Sequence, residues 1–169
     1  MSGLRIVNGW TLFAHPTFID PVTRLIEQVR ALQAKDLTHY REKKAAKHLA
    51  AIRKLILVTI PQDPTRSDYR QGDTLGPEYT HWFRAKFFQQ YRLFFRYHVQ
   101  SRIIVYAWVN GEATKRAYGS PTDAYRVFAK MLGRGHPPND WDALLKEARA
   151  ASDRFTRTVA SVPASPEQD

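Results

Sequence analysis

Val22, Leu25, Ile26, Val29 and Leu32 recur at helical spacing, and Asp20-Pro21 ahead of them reads as an N-cap with proline at the first helical position. This predicts a helix running to about Lys35. A second stripe, Ala45, Leu49, Ile52, Leu55 and Ile56, predicts a helix capped at Thr38 and ending before Pro61. Its other side carries Arg41, Lys43, Lys44, Lys47, His48, Arg53 and Lys54. The short link between them implies an antiparallel helical hairpin. Residues 10–19, before the first helix, read as a leading strand or loop. A long polar connection, residues 61–81, follows the hairpin. The pattern then changes to strands over about residues 82–88, 91–99 and 103–109. Ser120-Pro121-Thr122-Asp123 opens another helix with Tyr125, Phe128, Ala129 and Leu132 on one face. Residues 133–138 stop it. Asn139 or Asp140 caps a final helix carrying Trp141, Leu144, Leu145, Ala148 and Phe155. Residues 161–169 are rich in Pro, Ser and Glu and are expected to be disordered. The reading is one α+β domain over residues 1–160: a helical hairpin on one side of a small antiparallel sheet, with C-terminal helices packed around it.

Strand alternation separates two faces. Tyr91, Leu93, Phe95, Tyr97 and Val99 share one, and Arg92, Phe94, Arg96 and His98 share the other. The first is a core face. A row of cations like the second is costly to bury unpaired. In the preceding strand Arg84 and Lys86 lie with Trp82 and Phe88. The cations of both strands converge if the connecting loop has an odd number of residues, such as three with a bulge. A two-residue Gln89-Gln90 loop would set Arg84 opposite Phe95. The pattern favours convergence.

Charge sharpens this picture. Residues 79–111 hold no Asp or Glu, and the whole chain carries a net charge of +10 on 169 residues. Clustered positive charge makes a nucleic-acid phosphate backbone the first candidate partner. The absence of Cys excludes a disulfide framework, a thiolate metal site and a thiol nucleophile, and fits a reducing cytoplasm. The first ten residues lack the apolar run of a signal peptide. No segment approaches the roughly 20 apolar residues of a membrane span. Asp63, Asp68 and Asp73 are irregularly spaced in a Pro-rich stretch, so no metal site is expected there.

The longest distinctive run is His81-Trp82-Phe83-Arg84-Ala85-Lys86-Phe87-Phe88-Gln89-Gln90-Tyr91-Arg92-Leu93-Phe94-Phe95-Arg96-Tyr97. Others are Pro61-Gln62-Asp63-Pro64-Thr65-Arg66, Val105-Tyr106-Ala107-Trp108-Val109-Asn110, Thr114-Lys115-Arg116-Ala117-Tyr118, Gly135-His136-Pro137-Pro138 and Asp140-Trp141. These runs resemble the YhaV family of toxins from PrlF–YhaV type II toxin–antitoxin systems. The resemblance covers about residues 9–148 in unbroken order. It places the chain in the RelE-like superfamily, whose Tyr-Arg-Leu-type strand Tyr91-Arg92-Leu93 fits. Thr74-Leu75-Gly76 resembles the turn before the first basic strand.

The resemblance implies an endoribonuclease that cleaves mRNA, RelE-like members generally acting in the ribosomal A site, and so inhibits translation and growth. It implies no cofactor and no metal: the 2′-OH attacks the adjacent phosphate and leaves a 2′,3′-cyclic phosphate. Such a reaction needs a base, cations for the developing charge and an acid. It also implies a PrlF-like antitoxin partner, with operator DNA met only through the antitoxin complex. Arg92 carries over to transition-state charge. Arg84 and Lys86 match the preceding basic pair, shifted by one position from the RelE pattern, which leaves open which is catalytic. Lys115, Arg116 and Tyr118 match the basic–Tyr segment after the last strand. His98 lies on the cationic face, where neighbouring charge favours a neutral, base-competent imidazole. Arg96, Lys115, Lys44, Lys47 and Lys54 are the expected RNA contacts. Plainer readings stand beside these: solvated strand and helix charges, Tyr118 and especially Tyr125 as core or helix-packing residues, Trp108 as sheet core, His15 and His136 as turn residues. A non-catalytic nucleic-acid-binding module, acting with its antitoxin in operon repression, would use the same basic charge.

Overall fold

The computed structural model describes residues 4–163. Ile103–Val109 (β5) is apolar throughout, buried at all 7 residues, and lies at the centre of a five-stranded sheet. Its neighbours are Trp10–Ala14 (β2) and Tyr91–His98 (β4); Arg5–Val7 (β1) and Phe83–Phe87 (β3) form the edges. All neighbouring pairs are antiparallel except β2–β5, which pair parallel from Thr11↔Ile103 to Ala14↔Tyr106. The sheet is therefore mixed, which corrects the expected antiparallel one. Residues 10–14 do form a strand, but their partner lies far along the chain, where no local pattern reveals it.

Helices cover both faces. Leu93, Phe95 and Tyr106 pack against Pro16–Lys35 (α1), Lys44–Lys54 (α2) and Ser152–Ala160 (α6). Phe94, Val105 and Ala107 pack against Ala124–Gly133 (α4) and Trp141–Ala150 (α5). The expected final helix is thus two helices. Ala148 belongs to one core and Phe155 to the other, so the chain breaks at Ala151 to pass from one sheet face to the opposite one. An Arg154–Asp20 ion pair ties α6 to α1. Val162 still packs on the core, and residues 164–169 of the expected disordered tail lie outside the described residues.

The first helix begins earlier than expected. His15 is the N-cap, accepting from the Thr17 N–H at 3.1 Å, and Pro16 takes the first turn. Pro21 lies inside the helix. Phe18 and Ile19, 1% and 0% exposed, explain this: burying two such side chains is worth about 1.5–3 kcal/mol each, against about 3 for an interior proline. The second helix also departs from expectation at both ends. Thr38 does not cap it; the Asp36 carboxylate accepts from the Thr38 and His39 N–H groups instead, at 3.2 and 3.1 Å. A π-helical segment, Leu55–Thr59, carries the chain past Pro61 into a last turn, Ile60–Gln62 (α3). Within it the Ile60 N–H bonds the Leu55 carbonyl. The Ile56 carbonyl would next meet the nitrogen of Pro61, which has no hydrogen. The buried Tyr106 hydroxyl donates to it instead, at 2.6 Å. Burial pushes that phenol well above its ordinary pKa.

The connection 61–81 is built rather than structureless. It holds 3₁₀ turns at Ser67–Tyr69 and Pro77–Tyr79. Gln71 braces it, donating to the Tyr79 carbonyl (2.8 Å) and accepting from the Leu75 N–H (3.0 Å). Among the described residues no helix is long and apolar enough to cross a membrane.

Candidate functional site

The β3–β4 hairpin turns through three residues, Phe88, Gln89 and Gln90, between the paired Phe87 and Tyr91. Phe88 and Gln89 take left-handed backbone at φ 44° and 62°. That conformation costs about 1–2 kcal/mol for a residue with a Cβ. The odd loop gives the register the alternation favoured: Lys86 lies opposite Arg92, and Arg84 opposite Phe94.

Arg84 and Arg92 meet on one oxygen. The Tyr125 hydroxyl accepts from Arg84 Nε at 2.9 Å and from Arg92 Nε at 3.1 Å. Arg92 Nη1 also donates to the carbonyls of Gln89 (2.7 Å) and Tyr91 (3.0 Å), and Arg84 Nη1 to that of Asp68 (2.7 Å). Among the described residues no carboxylate forms an ion pair with either guanidinium. Neutral oxygens fix both and cancel neither. Among the described residues no buried side-chain nitrogen or oxygen lacks a partner, so neither Nη2 group, which takes no part in these bonds, is fully buried, though Arg92 as a whole is only 7% exposed. Lys86 is exposed on the same face.

Arg116 completes the cluster differently. It pairs with Asp123 at 2.7 Å, and its guanidinium carbon lies 3.7 Å from the Tyr118 ring centroid and 4.5 Å from that of Tyr125. Burial works against its charge, but the Asp123 hydrogen bond and field outweigh it and hold the guanidinium above its ordinary range. Asp123 also caps α4, accepting from the N–H groups of Tyr125 (3.1 Å) and Ala117 (2.5 Å). Burial raises its pKa, yet Arg116 and these N–H groups hold it lowered. The Arg116 N–H bonds the Gln90 carbonyl at 2.9 Å, fastening this loop to the hairpin tip. Asn110 fastens it again: Oδ1 accepts from the Arg92 N–H (2.7 Å), and Nδ2 donates to Gln90 (3.1 Å) and Thr114 (2.8 Å). Tyr118 is 87% exposed, which overturns its reading as a core or helix-packing residue; the Arg116 guanidinium is what its ring meets.

Of the expected catalytic residues, Arg84, Lys86, Arg92, Arg116 and Tyr118 are therefore brought to one end of the hairpin. His98 is not. It lies six residues along β4 from Arg92, about 20 Å in extended chain. There it stacks on Trp141 (5.8 Å) and shares a hydrogen bond with Ser101 (2.6 Å). Arg96 is clasped between Trp82 and Trp141, 5.3 Å from each ring centroid, and donates to the Asn139 carbonyl at 2.6 Å. Desolvation there lowers its pKa to about 10.

Lys44, Lys47 and Lys115 gather on the opposite face of the hairpin tip, around a cleft of about 350 Å³ that also takes in His48, Phe88 and Tyr91. Glu112 bridges Lys44 (2.6 Å) and Lys115 (3.1 Å) and accepts from the Tyr91 hydroxyl (2.7 Å). These bonds, Lys44's first, hold its carboxyl down at about 2. The His48 ring lies 4.1 Å from Tyr91 and stacks on Phe88 at 5.3 Å. Burial, then the Lys44 charge, lowers its pKa. Lys54 is exposed ten residues along α2 from Lys44, about 15 Å away.

Sequence reasoning missed Tyr125 as the shared acceptor, Asn110 as the fastener, and Asp123, Glu112 and His48. Only Asp123 carried a local signal, its cap position before α4. Among the described residues no group of three or more His, Asp or Glu gathers as a metal-binding set.

The chain that folds into this small mixed sheet under helices, with its basic hairpin tip, has counterparts by sequence. The family model for YhaV toxins, described as a toxin with endonuclease activity, of a toxin–antitoxin system, matches residues 12–149. The chain belongs to this family. It is 46% identical over 143 residues to Toxin YhaV of Escherichia coli O6:H1, covering 83% of this chain and 93% of that protein. The same identity and coverage relate it to Ribonuclease toxin YhaV of Escherichia coli K12. No solved structure matches.

Proposed function

We propose that this toxin is a metal-independent endoribonuclease, and that the scissile phosphate docks on the Arg84–Arg92 face. The observation that carries this is a pair of guanidiniums fixed by neutral oxygens with no carboxylate on either. Rigid donors of this kind act on charge that grows in a transition state. In this reading the 2′-OH attacks the adjacent phosphorus, the P–O5′ bond breaks, and the products are a 2′,3′-cyclic phosphate and a 5′-OH. Arg92 and Arg84 meet the charge of the five-coordinate phosphorus. Arg116 lies beside them, and the exposed Tyr118 hydroxyl and Lys86 amine are the groups placed to move protons. His98 is too distant to serve the same phosphate. RNA as substrate is supported by the name of the K12 relative, a ribonuclease toxin. A helical hairpin preceding a basic β-hairpin supports a RelE-like assignment. That assignment carries with it action on ribosome-bound mRNA and a cytoplasmic setting; membership of the YhaV family supports a PrlF-like antitoxin that either covers this face or holds the toxin in an assembly too bulky for the ribosomal A site.

The test uses purified protein and free RNA in EDTA, with the product ends identified. Cyclic-phosphate ends that vanish in folded Arg92→Ala are expected. Activity only on addition of a divalent ion, or undiminished in Arg92→Ala, would overturn the reading. RNA binding with no cleavage under any condition would favour the non-catalytic module.

A further inference from the structure

Phe88 is the residue whose placement the cleavage site leaves unexplained. It sits at φ 44°, where a bulky side chain is rarely held, yet its ring is not tucked into the core: the residue is 52% exposed. One side of the ring is backed by His48, stacked at 5.3 Å with an interplanar angle of 19°. Lys44, Lys47 and Lys115 line the cleft around it, with Glu42, Tyr91 and Gln90 completing the wall. Its volume, about 350 Å³, is at the small end of the range for ligand sites, about 300–1,000 Å³. Aromatic rings beside lysines are how proteins hold single-stranded nucleic acid without reading its sequence.

We infer that Phe88 is a stacking platform for a nucleobase flanking the cleaved phosphate, with Lys44, Lys47 and Lys115 around the adjoining backbone. The inference rests on RNA being the substrate. The same three-residue loop links both places. The Gln89 carbonyl holds Arg92, and the Gln90 carbonyl holds the N–H of Arg116. A strand crossing the tip thus meets the arginines on one side and the Phe88 ring on the other. His48, kept neutral by burial, backs the ring without adding charge beneath the base.

The experiment measures binding apart from cleavage. Short 2′-O-methyl oligoribonucleotides, which lack the attacking hydroxyl, are titrated by fluorescence anisotropy, intact and with an abasic residue at each position in turn. Phe88→Asn removes the ring while tolerating the left-handed backbone; Phe88→Trp keeps a platform. Phe88→Asn is expected to weaken binding about tenfold or more, and Phe88→Trp to hold or tighten it. One abasic position should weaken wild type by a similar factor and leave Phe88→Asn unaffected, a coupling that a purely structural role would not produce. Equal abasic penalties in wild type and folded Phe88→Asn would overturn the inference. So would unchanged RNA affinity combined with lost antitoxin co-purification, which would assign the ring to a protein contact. Failure of cleavage with the abasic coupling intact would remove the nuclease reading and leave the platform standing.

Discussion

On the α4 side of the hairpin tip, Arg84 and Arg92 give their N–H groups to Tyr125 and to backbone carbonyls. On the α2 side, Lys44 and Lys115 share one carboxylate, Glu112. Neutral acceptors orient a cation and leave its charge available; a carboxylate orients it and spends the charge. In the proposed function the first face receives an anion as it stands. The second receives one only by trading Glu112 for it, so it suits contacts that form and break along a strand.

The sharpest way to break this contrast is Arg92→Ala, which should lower single-turnover cleavage about 10²-fold or more. Arg92→Lys should not restore it, because one ammonium cannot reproduce a fork bonded at Nε and Nη1. Near-wild-type turnover in either folded variant would reject the role given to Arg92.

Tyr125→Phe isolates orientation from charge. The ring keeps its edge contact with Phe94 (5.4 Å), but both Nε donors lose their acceptor. About tenfold in kcat is expected, corresponding to about 1–3 kcal/mol for donors left unmet. A change confined to KM would mean that Tyr125 only helps to bind.

Acid should test the α2 side. His48 and His15 are both held below the ordinary 6.5, chiefly by burial, His15 despite its bond to Glu147. The unfolded chain therefore takes up protons first. Stability is full above 6.5 and declines as pH falls through the lower folded values. Urea melts at about pH 7.5 and 5.5 should show lower stability in acid, with His48→Asn flattening part of the slope. A loss on raising the pH over that range would contradict the assignment.

The smallest expected effect comes from making the two faces alike. Glu112→Gln should tighten RNA binding only a few-fold at low salt, the gain fading toward about 0.15 M as screening sets in. The clamp's own contribution is present above 4.5 and lost as pH falls through about 2. It is small, since Glu112 is 60% exposed. Weaker binding in Glu112→Gln would show that the carboxylate organises the lysines rather than masks them.

Local pattern carried the three hairpin and sheet strands, the shared face of Arg84, Lys86 and Arg92, and even the parity of the loop. It failed where position along an element mattered. Alternation placed His98 on the cationic face correctly but is blind to its distance from Arg92. The far end of the cationic face also proved to be covered: Arg96 is met by two tryptophans from outside the strand, a contact strand periodicity cannot register. Tyr125 lay on an apolar stripe and is buried as that implies, but its hydroxyl reaches across to two strands. The start of α1 was misplaced because Asp20-Pro21 is a sound local cap signal that the burial of Phe18 and Ile19 overrides.

The pairing of residues 11–14 with 103–106 fixes an order of events during synthesis. The N-terminal strand leaves the ribosome early and has nothing to pair with in parallel until Ile103–Val109 has emerged. Arg92 waits longer, for Asn110 and then for Tyr125. A growing chain therefore carries its arginines without the scaffold that aims them. The cell translating this toxin is exposed to its chemistry only once most of the chain is made, and a neutralising partner has until then to be in place.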